Sequence, residues 1–241
     1  MTTFWVGVDL GQASDPTAIC VLEKRALPQP VSQEPIRGDG YRPVPARYVF
    51  VGGQQVQIPK EPPSTYVGRH LQRLQLGMSY PAVVEHIATI MRDPKIAGQA
   101  KLVVDGTGVG RALVDMLRDA GLQPRAITIH GGDTVKHDGI YTRVPKRDLV
   151  GVVRMLLDSQ RLKFVDSLPD APVLKHELQN FKVKIDPETA HDGYSAWREG
   201  QHDDLVLAVA LAAWAGERPV LLRPPTGASG IRGVEPPLRY K

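Results

Sequence analysis

With 241 residues, 42% of them hydrophobic, the chain can build one sizeable α/β domain with extended appendages and needs no covalent staples to fold. Its single cysteine, Cys20, rules out an intramolecular disulfide and any thiolate zinc cluster, and nothing in the sequence reads as a signal peptide or a membrane span, so an intracellular, cytoplasmic protein is expected. The 30 basic and 26 acidic residues leave a net charge of +4, which permits nucleic acid as a partner without requiring it.

Phe4 to Leu10 is a short apolar run closed by Gly11, which reads as a buried strand carrying Asp9 at its end. After the turn from Gln12 to Pro16, Thr17 to Glu23 forms a second strand, giving a hairpin with a functional loop. Eight prolines between Arg25 and Pro63 exclude a regular helix there, although Arg47 to Val51 and Gln54 to Ile58 can pair around Gly52-Gly53. Residues 25–63 are therefore expected to be an insertion or arm. Thr65 to Leu76 suits another strand, and Ser79-Tyr80-Pro81 starts a helix with Val84, Ile87, Ala88 and Met91 on one face.

Lys101 to Asp105 is a strand that Gly106-Thr107-Gly108-Val109-Gly110 turns into a helix. The helix face is expected to carry Val109, Ala112, Leu113, Met116, Leu117 and Ala120, with Gly121 as the stop. Ala126 to His130 is the next strand, and Pro145 opens a helix with Leu149, Val152, Val153, Leu156 and Leu157 inward. A strand around Leu162 to Val165, a helix near Val173 to Asn180 and a strand from Phe181 to Ile185 follow. The last helix, about Gln201 to Ala215, is apolar nearly all round after Asp204 and should be buried. Residues 1–216 then form one α/β domain, and the Pro-, Gly- and Arg-rich segment 217–241 an extended or disordered tail.

Three acidic landmarks recur at element boundaries: Asp9, Asp105 and the Asp203-Asp204 pair. Strand ends are where open α/β sheets hold their ligands. Taken singly, Asp9 is as well explained by a turn and Asp105 also fits a helix cap. The pair is harder to dismiss, because two carboxylates at the start of a buried helix are costly unless solvated, protonated or bound to metal. Successive helix positions lie ~100° apart, so one of the two faces the site; Asp203 is taken as the ligand and Asp204 as a second ligand or its outer partner. An all-oxygen set selects hard cations, Mg²⁺ or Mn²⁺, and two such ions ~4 Å apart suit phosphodiester hydrolysis. The glycine run lacks both the dinucleotide fingerprint and the P-loop spacing.

Further candidates surround this set. Lys146 and Arg147 begin a helix, where positive charge opposes the dipole, and so suit phosphate contact; an ordinary solvated pair explains them nearly as well. Lys182 and Lys184 fall on one face of the strand expected at Phe181 to Ile185, facing DNA or simply water. Asp15 can reach the site from the first hairpin loop, although turn geometry is enough to explain it; His202, before the last helix, is a candidate to order a ligand or the attacking water from behind, although a helix-entry histidine with no catalytic role explains it better.

Val6-Gly7-Val8-Asp9 with Asp15-Pro16-Thr17-Ala18, Val103 to Gly110, Val144 to Leu149, and His202-Asp203-Asp204-Leu205 through Ala208 together resemble the nuclease domain of phage large terminases. The resemblance runs from about Thr3 to Ala215 and leaves Arg25 to Pro63 unassigned. It implies a ribonuclease H-like fold, a central mixed sheet flanked by helices, with Asp9, Asp105 and Asp203 holding two metal ions and Asp204 beside them. It also implies an endonuclease that cuts concatemeric double-stranded DNA during genome packaging in the bacterial host. Small terminase, portal protein and a separate packaging ATPase are then the expected partners, since this chain has no Gly-x-x-x-x-Gly-Lys-Ser/Thr motif and is either a separately encoded nuclease or an excised domain. The competing readings are a Holliday-junction resolvase, an actin-like or sugar-kinase-type ATPase, and a DNA-packaging adaptor that cuts nothing.

Overall fold

A computed structural model describes residues 2–11, 15–27, 46–51, 54–59, 63–108, 110–183 and 203–218. Its strands are β1 (Thr3–Asp9), β2 (Ala18–Ala26), β3 (Ala46–Val51), β4 (Gln54–Pro59), β5 (Ser64–Arg73), β6 (Ala100–Asp105), β7 (Arg125–His130), β8 (Lys136–Asp138), β9 (Tyr141–Pro145) and β10 (Leu162–Phe164). The helices are α1 (Tyr80–Arg92), α2 (Gly110–Asp119), α3 (Lys146–Asp158), α4 (Ala171–Val183) and α5 (Asp204–Glu217). No helix among the described residues is long and apolar enough to cross a membrane.

Eight strands form one mixed sheet in the order β10-β5-β2-β1-β6-β7-β9-β8. β1 and β2 are antiparallel, as are β2 and β5, whereas β1, β6, β7 and β9 run parallel in succession. The five consecutive strands β5-β2-β1-β6-β7 have the antiparallel-then-parallel order of a ribonuclease H-like sheet. β3 and β4 pair antiparallel as a separate two-stranded sheet, as the Gly52-Gly53 signal predicts.

Because successive strand residues face opposite sides, β1 divides its residues between two cores. Val6 and Val8 pack with Val84 and Ile87 of α1 and Leu113 and Leu117 of α2. Trp5 faces the other way, into the core built with α3, α4 and α5. Gly7 shares that face, and a Cβ on it would lie 2.0 Å from the Ala208 carbonyl oxygen and 3.0 Å from Ala212 Cβ. The strand and α5 therefore meet backbone to backbone through small residues. At the far end α5 is tied down by Lys24, which donates to the Gly216 carbonyl at 2.9 Å, and by Tyr66 and Arg161, which both reach Glu217, at 2.8 and 2.7 Å.

Three sequence expectations need correction. Phe181 to Val183 continue α4 and do not begin a strand, so Lys182 is helical; Lys184 lies outside the described residues. The buried face of α2 carries Gly110, Leu113, Val114 and Leu117, while Ala112 and Ala120 are exposed. Glu217, expected to begin the tail, is the last residue of α5. The tail from residue 219 and His202 lie outside the described residues.

Candidate metal centre

β1, β5, β6, β7 and β9 point the same way, so their C-terminal ends share one edge of the sheet. Register sets the order along it. Ala18 of β2 pairs with Asp9 on one side and with Arg73 on the other, and β6 lies across β1, with Val8 opposite Val104 and Asp105 just beyond. Asp9 has the facing of Gly7, and Asp105 that of Val103; both belong to the side covered by α5. The first turn of α5, with Asp203 and Asp204, sits against this edge.

Local chemistry fixes each acid. Asp9 follows the apolar run Phe4 to Val8 and is only 7% exposed. The Thr107 backbone N–H donates to Asp105 Oδ1 at 2.8 Å, and Thr107 Oγ1 in turn accepts the Ile129 N–H at 3.0 Å, which ties the turn after β6 to β7. Gly108 takes φ 59°, and a Cβ on Gly110 would come 2.2 Å from the Asp105 carbonyl oxygen. The glycine run thus serves a tight strand-to-helix turn. Asp203 occupies the N-cap position of α5 but makes no side-chain capping bond.

The electrostatics follow from this crowding. Burial first, then the charges of Asp105, Asp204 and Asp203, push the Asp9 carboxyl well above its ordinary value, and Lys146 partly offsets them. Lys146, at the first turn of α3, is thus close enough to act on the acidic centre. Its neighbour Arg147 is turned to the loop after β7, pairing with the Asp133 carboxylate and donating to the Asp133 carbonyl at 2.9 Å. Asp15 is exposed on the loop between β1 and β2. Cys20 is buried, which pushes its thiol up and leaves it inert as a nucleophile.

Two residues of this region escaped the sequence reading. Glu177 of α4 is 5% exposed; its Oε1 accepts from Arg73 Nη2 at 2.5 Å and its Oε2 from the Val206 N–H at 3.0 Å. Arg73 also stands 3.3 Å from Asp204 Oδ2. Burial raises the Glu177 carboxyl to about 7, against the Val206 bond and the Arg73 charge, with Asp204 and Asp203 adding to the rise. No simple signal marks Glu177, since an acid between His176 and Leu178 reads as an ordinary exposed helix position.

Both raised carboxyls keep a proton in the fold at pH values where the unfolded chain has lost it. Each therefore favours the fold at low pH, and that advantage is lost as pH rises, for Glu177 between about 4.5 and about 7 and for Asp9 from about 3.8 upward. The protein in EDTA is expected to lose Tm between about pH 4.5 and about pH 7, and Glu177→Gln to flatten that slope. Scanning calorimetry across this range checks it; a parent and variant with identical slopes would refute the assignment.

The donor set is all carboxylate oxygen and its members repel one another, which suits a hard divalent cation. Among the described residues, no three His, Cys, Asp or Glu side chains stand together as a ready-formed cage. No known family model matches the sequence. No curated protein matches it either. The structure is similar to the crystal structure of the large terminase nuclease from thermophilic phage G20c, with a TM-score of 0.43 and 15% identity, covering 88% of this chain and 81% of that one.

Proposed function

We propose that this chain is a divalent-metal-dependent endonuclease that hydrolyses the phosphodiester backbone of double-stranded DNA. The observation that carries the reading is that Asp9 and Asp105, side by side at one sheet edge, lie near enough to Asp203 and Asp204 at the start of a buried helix for the charges of all three to act on Asp9. A fold does not keep mutually repelling buried carboxylates for stability. Asp9, Asp105 and Asp203 would hold Mg²⁺ or Mn²⁺, with Asp204 beside them. Two such ions, when bound, supply water activation and charge neutralisation at the departing 3′ oxygen.

The chain's own groups do the rest. The rigid turn after β6 keeps Asp105 aimed at the α5 side of the edge, and burial of β1 excludes water from the back of Asp9. Lys146 balances the acids and lies where a backbone phosphate would be drawn in. Lys182 and Lys184 remain candidates for DNA contact from α4 and the segment after it, and Asp15 and His202 for ordering the attacking water. Arg147 would first have to release Asp133. In biological terms the reading is concatemer cutting during phage genome packaging, with residues 1–216 as the nuclease domain and a motor ATPase, small terminase and portal as partners.

The test is supercoiled plasmid incubated with the purified chain at low salt, with Mg²⁺, Mn²⁺ or EDTA. Nicking and linearisation only with metal are expected. DNA binding without cutting under any of these conditions would favour the adaptor, preferential cutting of four-way junctions the resolvase, and nucleotide hydrolysis without cutting the ATPase.

A further inference from the structure

α5 starts without the bond that ordinarily starts a helix. An aspartate at the N-cap gives a carboxylate oxygen to the N–H two or three residues on. Asp203 stands at that position, with φ −128° and ψ 20°, and makes no such bond. The N–H it would take, that of Val206, is held by Glu177 Oε2 at 3.0 Å, from a helix 29 residues earlier. The other oxygen of Glu177 accepts from Arg73 Nη2 at 2.5 Å, and Arg73 lies 3.3 Å from Asp204 Oδ2. Arg73 is itself fixed at the end of β5, where its backbone N–H donates to Asp170 Oδ2 at 2.8 Å, just before α4. One chain of contacts thus joins a strand end, α4 and the first turn of α5.

We propose that Glu177 and Arg73 are positioning residues of the acidic centre: Glu177 caps α5 in place of Asp203, committing the Asp203 carboxylate to the cation, while Arg73 holds Asp204 behind it. The proposal rests on the metal-dependent nuclease reading and gives Asp203 and Asp204 different tasks. Asp204 is the ion-paired partner and Asp203 the inner ligand. Neither Glu177 nor Arg73 need touch DNA. Both act through the placement of the α5 first turn, so their removal should weaken cation binding and turnover while leaving the affinity for DNA unchanged.

The experiment uses the full chain and its Glu177→Ala, Glu177→Gln and Arg73→Lys variants. Three readouts are taken: amide exchange at Val206 in EDTA, Mn²⁺ binding by calorimetry, and kcat and KM for plasmid cutting. Glu177→Ala should speed Val206 exchange by about tenfold, weaken Mn²⁺ binding by about tenfold and lower kcat with KM unchanged. Glu177→Gln, whose amide oxygen still accepts the Val206 N–H but whose NH2 cannot accept from Arg73, should restore the protection while weakening Mn²⁺ binding severalfold. Arg73→Lys loses the planar fork and should weaken Mn²⁺ binding severalfold with Val206 still protected. If Glu177→Ala does not fold, the isosteric Glu177→Gln and Arg73→Lys still decide the matter through Mn²⁺ affinity. Unchanged exchange at Val206 with unchanged Mn²⁺ binding overturns the proposal. A parent that binds no Mn²⁺ and cuts nothing sinks the nuclease reading and the cation half of the proposal together; Val206 exchange then still decides the cap.

Discussion

Replacing Asp9 by Asn should make the protein both more stable and inactive. Asp9 is 7% exposed, and its carboxyl is raised by burial and by the charges of Asp105, Asp204 and Asp203. At about pH 8 without metal, ionising it works against the fold. An amide of the same shape removes that charge, and a rise in Tm is expected. On the proposed nuclease reading, cutting in Mg²⁺ should fall about a thousandfold or more, because a ligand that balances the cation would be lost. The stabilising effect of added Mg²⁺ should shrink as well, since ligand binding to the native state is what raises Tm. Melting curves in EDTA and in Mg²⁺, alongside plasmid cutting, read all three. A variant that is destabilised in EDTA yet still cuts would mean that Asp9 is a structural turn residue.

Gly7→Ala adds one methyl group and should be among the most damaging single changes in the molecule. The added Cβ falls 2.0 Å from the Ala208 carbonyl oxygen and 3.0 Å from the Ala212 nitrogen, both backbone atoms of a buried helix that no rotamer change can move aside. Overpacking of this kind costs about 3 kcal/mol or more, a loss of at least about 6–12 °C in Tm. The helix that must shift carries Asp203 and Asp204, so any protein that folds should also cut poorly. Gly151→Ala is the internal control. Gly151 lies within α3 with nothing near its missing Cβ, and alanine there should be neutral or stabilising by up to about 1 kcal/mol. Equal melting temperatures for the two variants would show that α5 does not rest on β1 as described.

The parts of the fold that were legible are those where burial writes itself into the sequence. β1 and β6 are apolar runs stopped by an acid and a glycine, and α5 is apolar on every side because every side is covered. Where burial is weak or shared, the pattern failed. Lys182 and Lys184 alternate as in a strand, yet Phe181 to Val183 extend a helix whose earlier turns are set by Leu174 and Glu177. On α2, Ala112 and Ala120 count as apolar but are small enough to face water, while Val114 takes the inner place. β8, Lys-His-Asp at positions 136–138, has no apolar signal at all and is exposed throughout. At the centre, the four aspartates could be read because they sit at element boundaries. Glu177 and Arg73 could not, because their contacts with Val206 and Asp204 exist only once α4 and β5 have been brought to α5.

The acidic centre draws on Asp9, Asp105 and Asp203, each nearly a hundred positions from the next, and its last members ride on the helix that also covers the inner face of β1. Synthesis at about 5–20 residues per second leaves roughly 5–20 s between the emergence of Asp105 and that of Asp203. Throughout that interval the chain holds two acids at a sheet edge and lacks the element that completes them. Long-range closure of this sort comes late in folding as well. If the chain is the nuclease proposed, a nascent or C-terminally clipped form should be harmless to nearby DNA, and the capacity to cut should arrive in the same step that buries Trp5 and Trp214.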